Sequence, residues 1–321
     1  MTDASIIVGT RNRSQLLRGS LESLLADGSA TSREVIVVDN GSTDDTRAVV
    51  ESFAATRPDV PVRYVLEPRV GLSHARNKGV AEAVGDILIF ADDDLFFCDG
   101  WLDELVTPFA DETVGMVGGR IVPLWPEPPP AWLAGEHATI LTGVDQGERE
   151  REYVAPEHPF GANMAVRASL ARTFDPPFDP DLGHSGDRRI GWEEVRFTHL
   201  VQATHRVVYR PSALVHHRIE SSRINLGYLR RAFFQLGMGQ GRLRRLNGNV
   251  PALPRRIVRT ARAWRSAREL RRANHDAPRT GASAEAELAA YRALGIQLAS
   301  LFGRSERLTD YMAVRLYRGA A

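Results

Sequence analysis

One cysteine, Cys98, and one lysine, Lys78, occur among the 321 residues. A single cysteine excludes a disulfide framework and a cysteine-built metal cluster, and it fits a reducing compartment. With lysine so scarce, arginine carries nearly all the positive charge. Genome composition can produce such a bias, so the number of arginines alone assigns no role. No apolar run approaches the roughly 18 residues needed to span a bilayer. The strand-like Asp86-Ile87-Leu88-Ile89-Phe90-Ala91 stops at a carboxylate cluster. No basic-then-apolar leader is read at the N-terminus, where Thr2 and Asp3 run into Ser5-Ile6-Ile7-Val8. The expectation is a cytoplasmic protein, with membrane association left open. No internal repeat stands out.

What is present suits a folded chain that can bury a full core, with 43% hydrophobic and 25% charged residues. The length fits two domains, or one large α/β domain with an appendage. Charge is segregated. Between Arg218 and Arg279, 16 arginines stand against three acids (Glu220, Glu269, Asp276), a net of +13. The whole chain is at +1, so the remainder carries −12. That split suggests an acidic catalytic body and a basic arm.

The first 120 residues alternate between two patterns. Strand-like runs at 5–8, 34–38, 62–65 and 87–90 are separated by helix-like stretches at 14–26, 44–56 and 73–84, whose apolar residues recur three and four apart. Such alternation predicts βαβ units with ligands bound beyond the carboxyl ends of the strands. A strand pair is predicted near 113–122 and further strands near 160–166, 207–209 and 214–216, with a helix over 192–203. The proline-rich 125–132 and the glycine-, proline- and aspartate-rich 175–189 read as loops. From about Leu226 the chain reads as all-helical, resuming after Pro278–Gly281 at Ser283, a candidate cap. The expected division is a catalytic domain over 1–223 and a helical extension over 224–321.

Asp92-Asp93-Asp94 follows an apolar strand. Three such carboxylates repel one another unless a cation sits among them. Strand alternation would put Asp92 and Asp94 on one side and Asp93 on the other. Two oxygens on one side suit Mn²⁺ or Mg²⁺, which keeps waters and takes phosphate oxygens as further ligands. A solvated acidic turn, or a cap for a helix at 101–106, is the alternative.

Four segments in order carry a resemblance: Thr10-Arg11-Asn12-Arg13, Val38-Asp39-Asn40-Gly41-Ser42-Thr43-Asp44, Gly71-Leu72-Ser73-His74-Ala75-Arg76-Asn77-Lys78-Gly79 and Asp92-Asp93-Asp94. Together they resemble the motifs of the family 2 nucleotide-sugar glycosyltransferases. The likeness covers about 95 residues strongly and continues less sharply to about His217. Gly9 stands where the family commonly has proline. The resemblance implies a GT-A-like, mostly parallel sheet flanked by helices, here with an all-helical basic C-terminal extension. It implies a nucleotide-diphosphate sugar donor and a hydroxyl acceptor. Donor contacts would be Thr10, Arg11, Asp39 on the base, Arg76 on the ribose or diphosphate, and Asp92 and Asp93, with Arg69 a weaker candidate. Mn²⁺ or Mg²⁺ would be held by Asp94 with Asp92 and a late histidine, His216 being preferred to His217. Of the acidic pair Glu193 and Glu194, Glu194 would be the general base and Glu193 its neighbour toward the acceptor. A single base opposite the leaving group implies inversion. Trp192, Trp132 and Asn163 would face the acceptor, with Gly161 allowing close approach. Residues 183–191 would order on substrate binding.

Each assignment has a plainer counterpart. Asp39 can be a turn aspartate, Arg76 a surface charge, the histidines structural, the glutamates helix-dipole partners, and the aromatics packing. Runner-up functions are a nucleotidyltransferase, which the segment after the first strand fits poorly, and a non-catalytic sugar-nucleotide-binding protein. On the basic arm, an amphipathic face through Ile257, Ala261, Trp264 and Ala267 suggests membrane-surface contact. Packing within the protein or a homodimer contact is the alternative, and nucleic acid has no supporting motif. The sequence leaves the donor base, the sugar and the acceptor open.

Overall fold

The computed structural model describes residues 3–133, 140–141, 143–184, 191–274 and 280–302. The expected substrate-ordered stretch at 183–191 therefore falls largely outside the described residues. Contacts divide the chain into two compact units. The first comprises 3–126, the described part of 141–184, and 193–219; the second takes in 127–133, 140, 191–192, 220–274 and 280–302.

The first unit is built on a nine-stranded sheet. β1 (Ala4–Thr10), β2 (Arg33–Asp39), β3 (Val62–Leu66) and β4 (Ile87–Asp92) are its parallel part, in the order β3-β2-β1-β4. β1, β2 and β4 are rich in Val and Ile and almost wholly buried, as strands covered on both faces must be, whereas the edge strand β3 buries only Val62. α1 (Ser14–Ala26), α2 (Thr46–Thr56) and α3 (Leu72–Glu82) alternate with them. α1 buries Leu17, Leu21, Leu24 and Leu25, a stripe at helical spacing. Asp44 caps two helices at once. Its Oδ2 accepts from the Ser14 amide at 2.9 Å and its Oδ1 from the Thr46 amide at 3.1 Å. Burial acts to raise its pKa, but these donors outweigh it and hold the carboxyl below its ordinary range.

Beyond β4 the sheet is mixed. The elements there are β5 (Leu95–Phe97), α4 (Trp101–Val106), β6 (Val114–Leu124), β7 (Arg151–Glu152), β8 (Asn163–Arg167), α5 (Ala168–Ala171), α6 (Glu193–Gln202) and β9 (Arg206–Arg218). β8 runs antiparallel between β4 and β6, and β9 pairs parallel with β6 and antiparallel with β5 and β7. The strand pair expected near 113–122 is the single strand β6. The two short strands expected at 207–209 and 214–216 are one strand, β9, whose register against β6 jumps from Arg210 to Leu214. Pro211, which has no N–H for the ladder, lies in that jump.

Strand register sets the location of chemistry. Thr10 lies opposite Asp39, and Gly9 opposite Asp92, so three polar residues collect at one edge of the parallel strands. The aspartate triplet does not cap α4. That helix has its first amide on Asp27 Oδ1 at 3.1 Å.

The second unit is helical: α7 (Leu226–Leu246), α8 (Leu253–Ala273) and α9 (Gly281–Phe302). α7 and α9 pack backbone to backbone. A Cβ at Gly237, Gly241 or Gly295 would collide with a carbonyl of the facing helix. Ser283 is not the cap of α9 but lies inside its first turn; its amide donates to Thr280 Oγ1 at 3.3 Å. The residues read as one apolar face of α8 do not share one environment. Thr260 and Ala267 are buried there, whereas Ile257 and Ala261 are exposed. No helix among the described residues is long and apolar enough to cross a membrane.

Candidate active site

At the end of β4 the strand alternation stops, because Asp93 and Asp94 are turn residues. Asp93 therefore does not point away from Asp94; both are buried and share one cation. Arg13 Nη1 reaches Asp93 Oδ1 at 2.5 Å and Arg13 Nη2 reaches Asp94 Oδ2 at 2.7 Å. Thr10 Oγ1 donates to Asp93 Oδ2 at 2.6 Å. Burial pushes Asp93 up to about 7 even with Arg13 beside it. Both Asp93 oxygens are occupied within the protein, so its expected place among the donor contacts becomes a bracing one.

Arg13 is the residue that sequence reasoning missed. Arg11, expected in the pocket, is exposed. Asn12 between them has φ of +52°, a left-handed turn held by Asn12 N–H on Ser42 Oγ (2.9 Å) and Thr43 N–H on Asn12 Oδ1 (2.7 Å). This turn sends the second arginine of the motif inward.

The histidine preference is also corrected. β5 pairs with β9 so that Leu95 faces His217, and the Arg218 amide donates to the Asp94 carbonyl at 3.0 Å. His217, 1% exposed, sets its Nε2 3.3 Å from Asp94 Oδ1, while the preferred His216 lies opposite Phe96. His217 Nδ1 lies 3.0 Å from the Leu141 carbonyl. A proton on Nδ1 donated to that carbonyl turns the Nε2 lone pair toward the Asp94 carboxylate. Two electron-rich atoms so placed favour a cation between them, and a carbonyl behind the ring is what fixes a metal-binding imidazole. No group of three or more His, Cys, Asp or Glu residues with metal-holding geometry occurs among the described residues. The donor set nonetheless fits a hard divalent ion that takes its remaining ligands from phosphate and water.

At the end of β2, Asp39 is buried. Its Oδ1 accepts from the Ser42 amide at 2.8 Å and its Oδ2 from the Tyr64 hydroxyl at 2.7 Å. Burial and this carboxylate push the Tyr64 hydroxyl up to about 12. Arg69 pairs with Glu67 at 2.8 Å, and that ion-paired hydrogen bond takes Glu67 down to about 2.

Arg76, on α3, is neither a surface charge nor turned to solvent. It is 4% exposed and lies among three carboxylates. Its Nη1 donates to Glu193 Oε1 at 2.9 Å and is 3.9 Å from Glu194 Oε2; its Nη2 is 3.7 Å from Asp92 Oδ1. Its guanidinium also stacks over the Phe178 ring, 5.4 Å from the centroid. Gly161, expected to give room to an acceptor, gives room to Arg76: a Cβ there would collide with the guanidinium.

Glu193 and Glu194 open α6 as two interacting carboxyls, with the Oε2 atom of each buried. Burial and the charge of Glu194 push Glu193 well above the ordinary range, against the pull of Arg76. Glu194 meets the same burial, yet Arg76 and the proton offered by Glu193 outweigh it and hold Glu194 below its ordinary value. The two neighbours are thus driven apart, Glu193 toward the protonated form and Glu194 toward the carboxylate.

The expected acceptor residues divide. Asn163 is fully buried, and its side chain is spent on structure. Oδ1 accepts from Trp101 Nε1 at 2.9 Å, and Nδ2 donates to the Arg120 and Ala213 carbonyls at 3.0 and 2.9 Å. It is removed from the acceptor set. Asn163→Ala is expected to cost about 2–4 kcal/mol, because it strands a buried donor and two carbonyls; chemical denaturation would measure it. Trp192 and Trp132, both half-buried, belong to the second unit, where the Trp192 indole N–H donates to the Leu236 carbonyl of α7 at 2.8 Å.

An α/β sheet thus brings paired aspartates and a histidine at its strand ends into one unit with the glutamate pair that opens α6. Comparison with known proteins takes this further. Residues 5–171 match the family described as Glycosyl transferase family 2, and the chain belongs to that family. The chain is 29% identical over 212 residues to the succinoglycan biosynthesis protein ExoM of Rhizobium meliloti, covering 65% of this chain and 64% of that one. It is 29% identical over 222 residues to the pre-mycofactocin glycosyltransferase of Mycobacterium tuberculosis, covering 67% of this chain but 42% of the relative. The chain thus spans less than two thirds of the length of these relatives. The GT-A fold is shared with the mannosyltransferase PcManGT from Pyrobaculum calidifontis, solved with GDP-Man and Mn²⁺. The TM-score is 0.56 at 21% identity, over 98% of this chain and 81% of that one. It is also shared with GalNAc-T7, solved with UDP, GalNAc and Mn²⁺. Here the TM-score is 0.52 at 15% identity, over 68% and 43% of the two chains.

Proposed function

We propose that the first unit transfers a sugar from a nucleotide-diphosphate sugar to an acceptor hydroxyl, with inversion at the sugar carbon and with help from Mn²⁺ or Mg²⁺. The observation that carries this reading is Arg76. It joins the donor-side Asp92 to the Glu193–Glu194 pair, so leaving-group and base chemistry share one buried cluster. The nucleotide complexes of the two fold relatives, each with Mn²⁺, support the donor class and the divalent ion.

Asp39, with lone pairs remaining on both oxygens, would accept from the base N–H, and Thr10 would keep the neighbouring strand end in place. Asp94 and His217, with Asp92, would hold the ion. When bound, it neutralises charge developing on the departing nucleotide diphosphate. Arg13, already holding Asp93 and Asp94, would keep those carboxylates oriented. Glu194, kept ionised, would take the proton of the attacking hydroxyl; Glu193, kept protonated, would donate to Glu194 and fix its orientation. No second carboxylate is needed as a nucleophile, in keeping with a single displacement.

Asp94→Asn tests the ion-binding part. Calorimetric titration with a nucleoside diphosphate and Mn²⁺ is expected to show Mn²⁺-dependent binding to the native protein and none to the variant. Unchanged Mn²⁺-dependent affinity would reject Asp94 as a ligand.

A further inference from the structure

One face of α8 carries a row of exposed arginines. Arg255, Arg259, Arg262, Arg265, Arg268 and Arg272 are all exposed, with Glu269 the one exposed acid among them. None of the six arginines has an ion pair with another residue within the described structure. Two acids of the same unit are held elsewhere. Glu287 is buried on Arg230 at 2.7 Å and on Asn274, and Glu220 lies beside Arg223. Two further arginines are structural. Arg245 and Arg256 both donate to the Ser300 carbonyl, at 2.9 and 2.7 Å, and so tie the α7–α8 turn to the C-terminal end of α9.

A second observation concerns apolar residues. Nine large apolar side chains are exposed among the described residues, and four of them, Leu246, Leu253, Ile257 and Val258, fall within thirteen residues at this turn. Their exposures run from 48% to 53%. The other five are scattered through the first unit. Exposed apolar residues gathered beside an arginine row, on a helix about 30 Å long, match the chemistry of a bilayer surface. Anionic headgroups meet the guanidinium groups, and the acyl boundary takes the apolar side chains.

We propose that α8 and the turn before it dock on an anionic lipid surface, with Leu253, Ile257 and Val258 inserting and the arginine row lying along the headgroups. A nucleic acid would use the arginines and has no use for the aliphatic cluster, so the two occupants are separable. The inference does not depend on the metal or base assignments.

The test is co-sedimentation of the full chain with vesicles of phosphatidylcholine alone and of phosphatidylcholine mixed with phosphatidylglycerol. Binding is expected to the mixed vesicles only, weakening as salt is raised. Replacing Arg255, Arg259, Arg262 and Arg265 by Gln should weaken it by at least ~10²-fold. Replacing Leu253, Ile257 and Val258 by Ser should weaken it by at least ~10-fold. Both variants should keep the native melting temperature, since the altered side chains are exposed. Asp94→Asn should bind vesicles like the native protein, whatever it does to nucleotide binding. No binding to mixed vesicles would overturn the proposal. So would a serine variant that binds them undiminished while the native chain binds duplex DNA equally well, which would mark the face as a general polyanion surface.

Discussion

Glu194→Gln should lower kcat by roughly 10²–10⁴-fold, the range for loss of a general base, while donor affinity stays near native. The substitution is nearly isosteric. Arg76 keeps its 2.9 Å bond to Glu193. What is lost is a carboxylate held ionised in a buried place by Arg76 and by its neighbour's proton. Because those causes lower its pKa, the native activity should hold until pH falls below the ordinary glutamate range, then decline as Glu194 takes up a proton. The variant should lose that acidic limb. Steady-state kinetics over pH, with donor binding measured in parallel, would check both. A variant with native turnover would move the base elsewhere.

Arg76→Met should lower stability by about 3 kcal/mol or more, the usual result of breaking a buried ion pair from one side. For a domain of this size that is a fall of roughly 6 °C or more in melting temperature. Methionine fills much the same space, so the deficit reports charge more than volume. It strands Glu193 and Glu194 and removes the cation beside Asp92. The sign of the pH dependence follows. Without the guanidinium, buried Glu194 shifts upward. An acid with a raised folded-state pKa contributes stability that is complete below its unfolded value and is lost as pH rises through the folded one. The variant's deficit should therefore be smallest in mild acid and grow toward neutrality. Thermal melts across that range would measure it. A pH-independent deficit would mean that packing on Phe178 and Gly161, not charge, is what Arg76 supplies.

Much of the fold was legible because it rests on local periodicity. The predicted helix at 14–26 matches α1, and the four parallel strands were placed within about two residues at each end. Carboxylate clusters at the end of an apolar strand and at the start of a helix are likewise local patterns, which is why Asp92–Asp94 and Glu193–Glu194 could be singled out. Where local rules were extended too far, they failed for identifiable reasons. Alternation was carried past the last residue of β4 into a turn, and it misplaced Asp93. Neighbouring arginines were not separated, because nothing in Thr10–Arg13 shows that Asn12 turns left-handed. Asn163 and Gly161 were read as facing a substrate, since burial by Trp101 and by Arg76 is invisible from their own segment.

The sequence by itself determined the alternating strands and helices, the collection of acids at strand and helix ends, and the separation of a basic arm from an acidic body. These depend on residues within a few turns of one another. The tertiary structure alone decided that His217 rather than His216 faces Asp94, because the pairing of Leu95 with His217 sets that register. It alone brought Arg76 to Glu193 across 117 residues. Such contacts join elements far apart in the chain, α3 with the start of α6 and β5 with β9, and no period in the chain encodes that meeting.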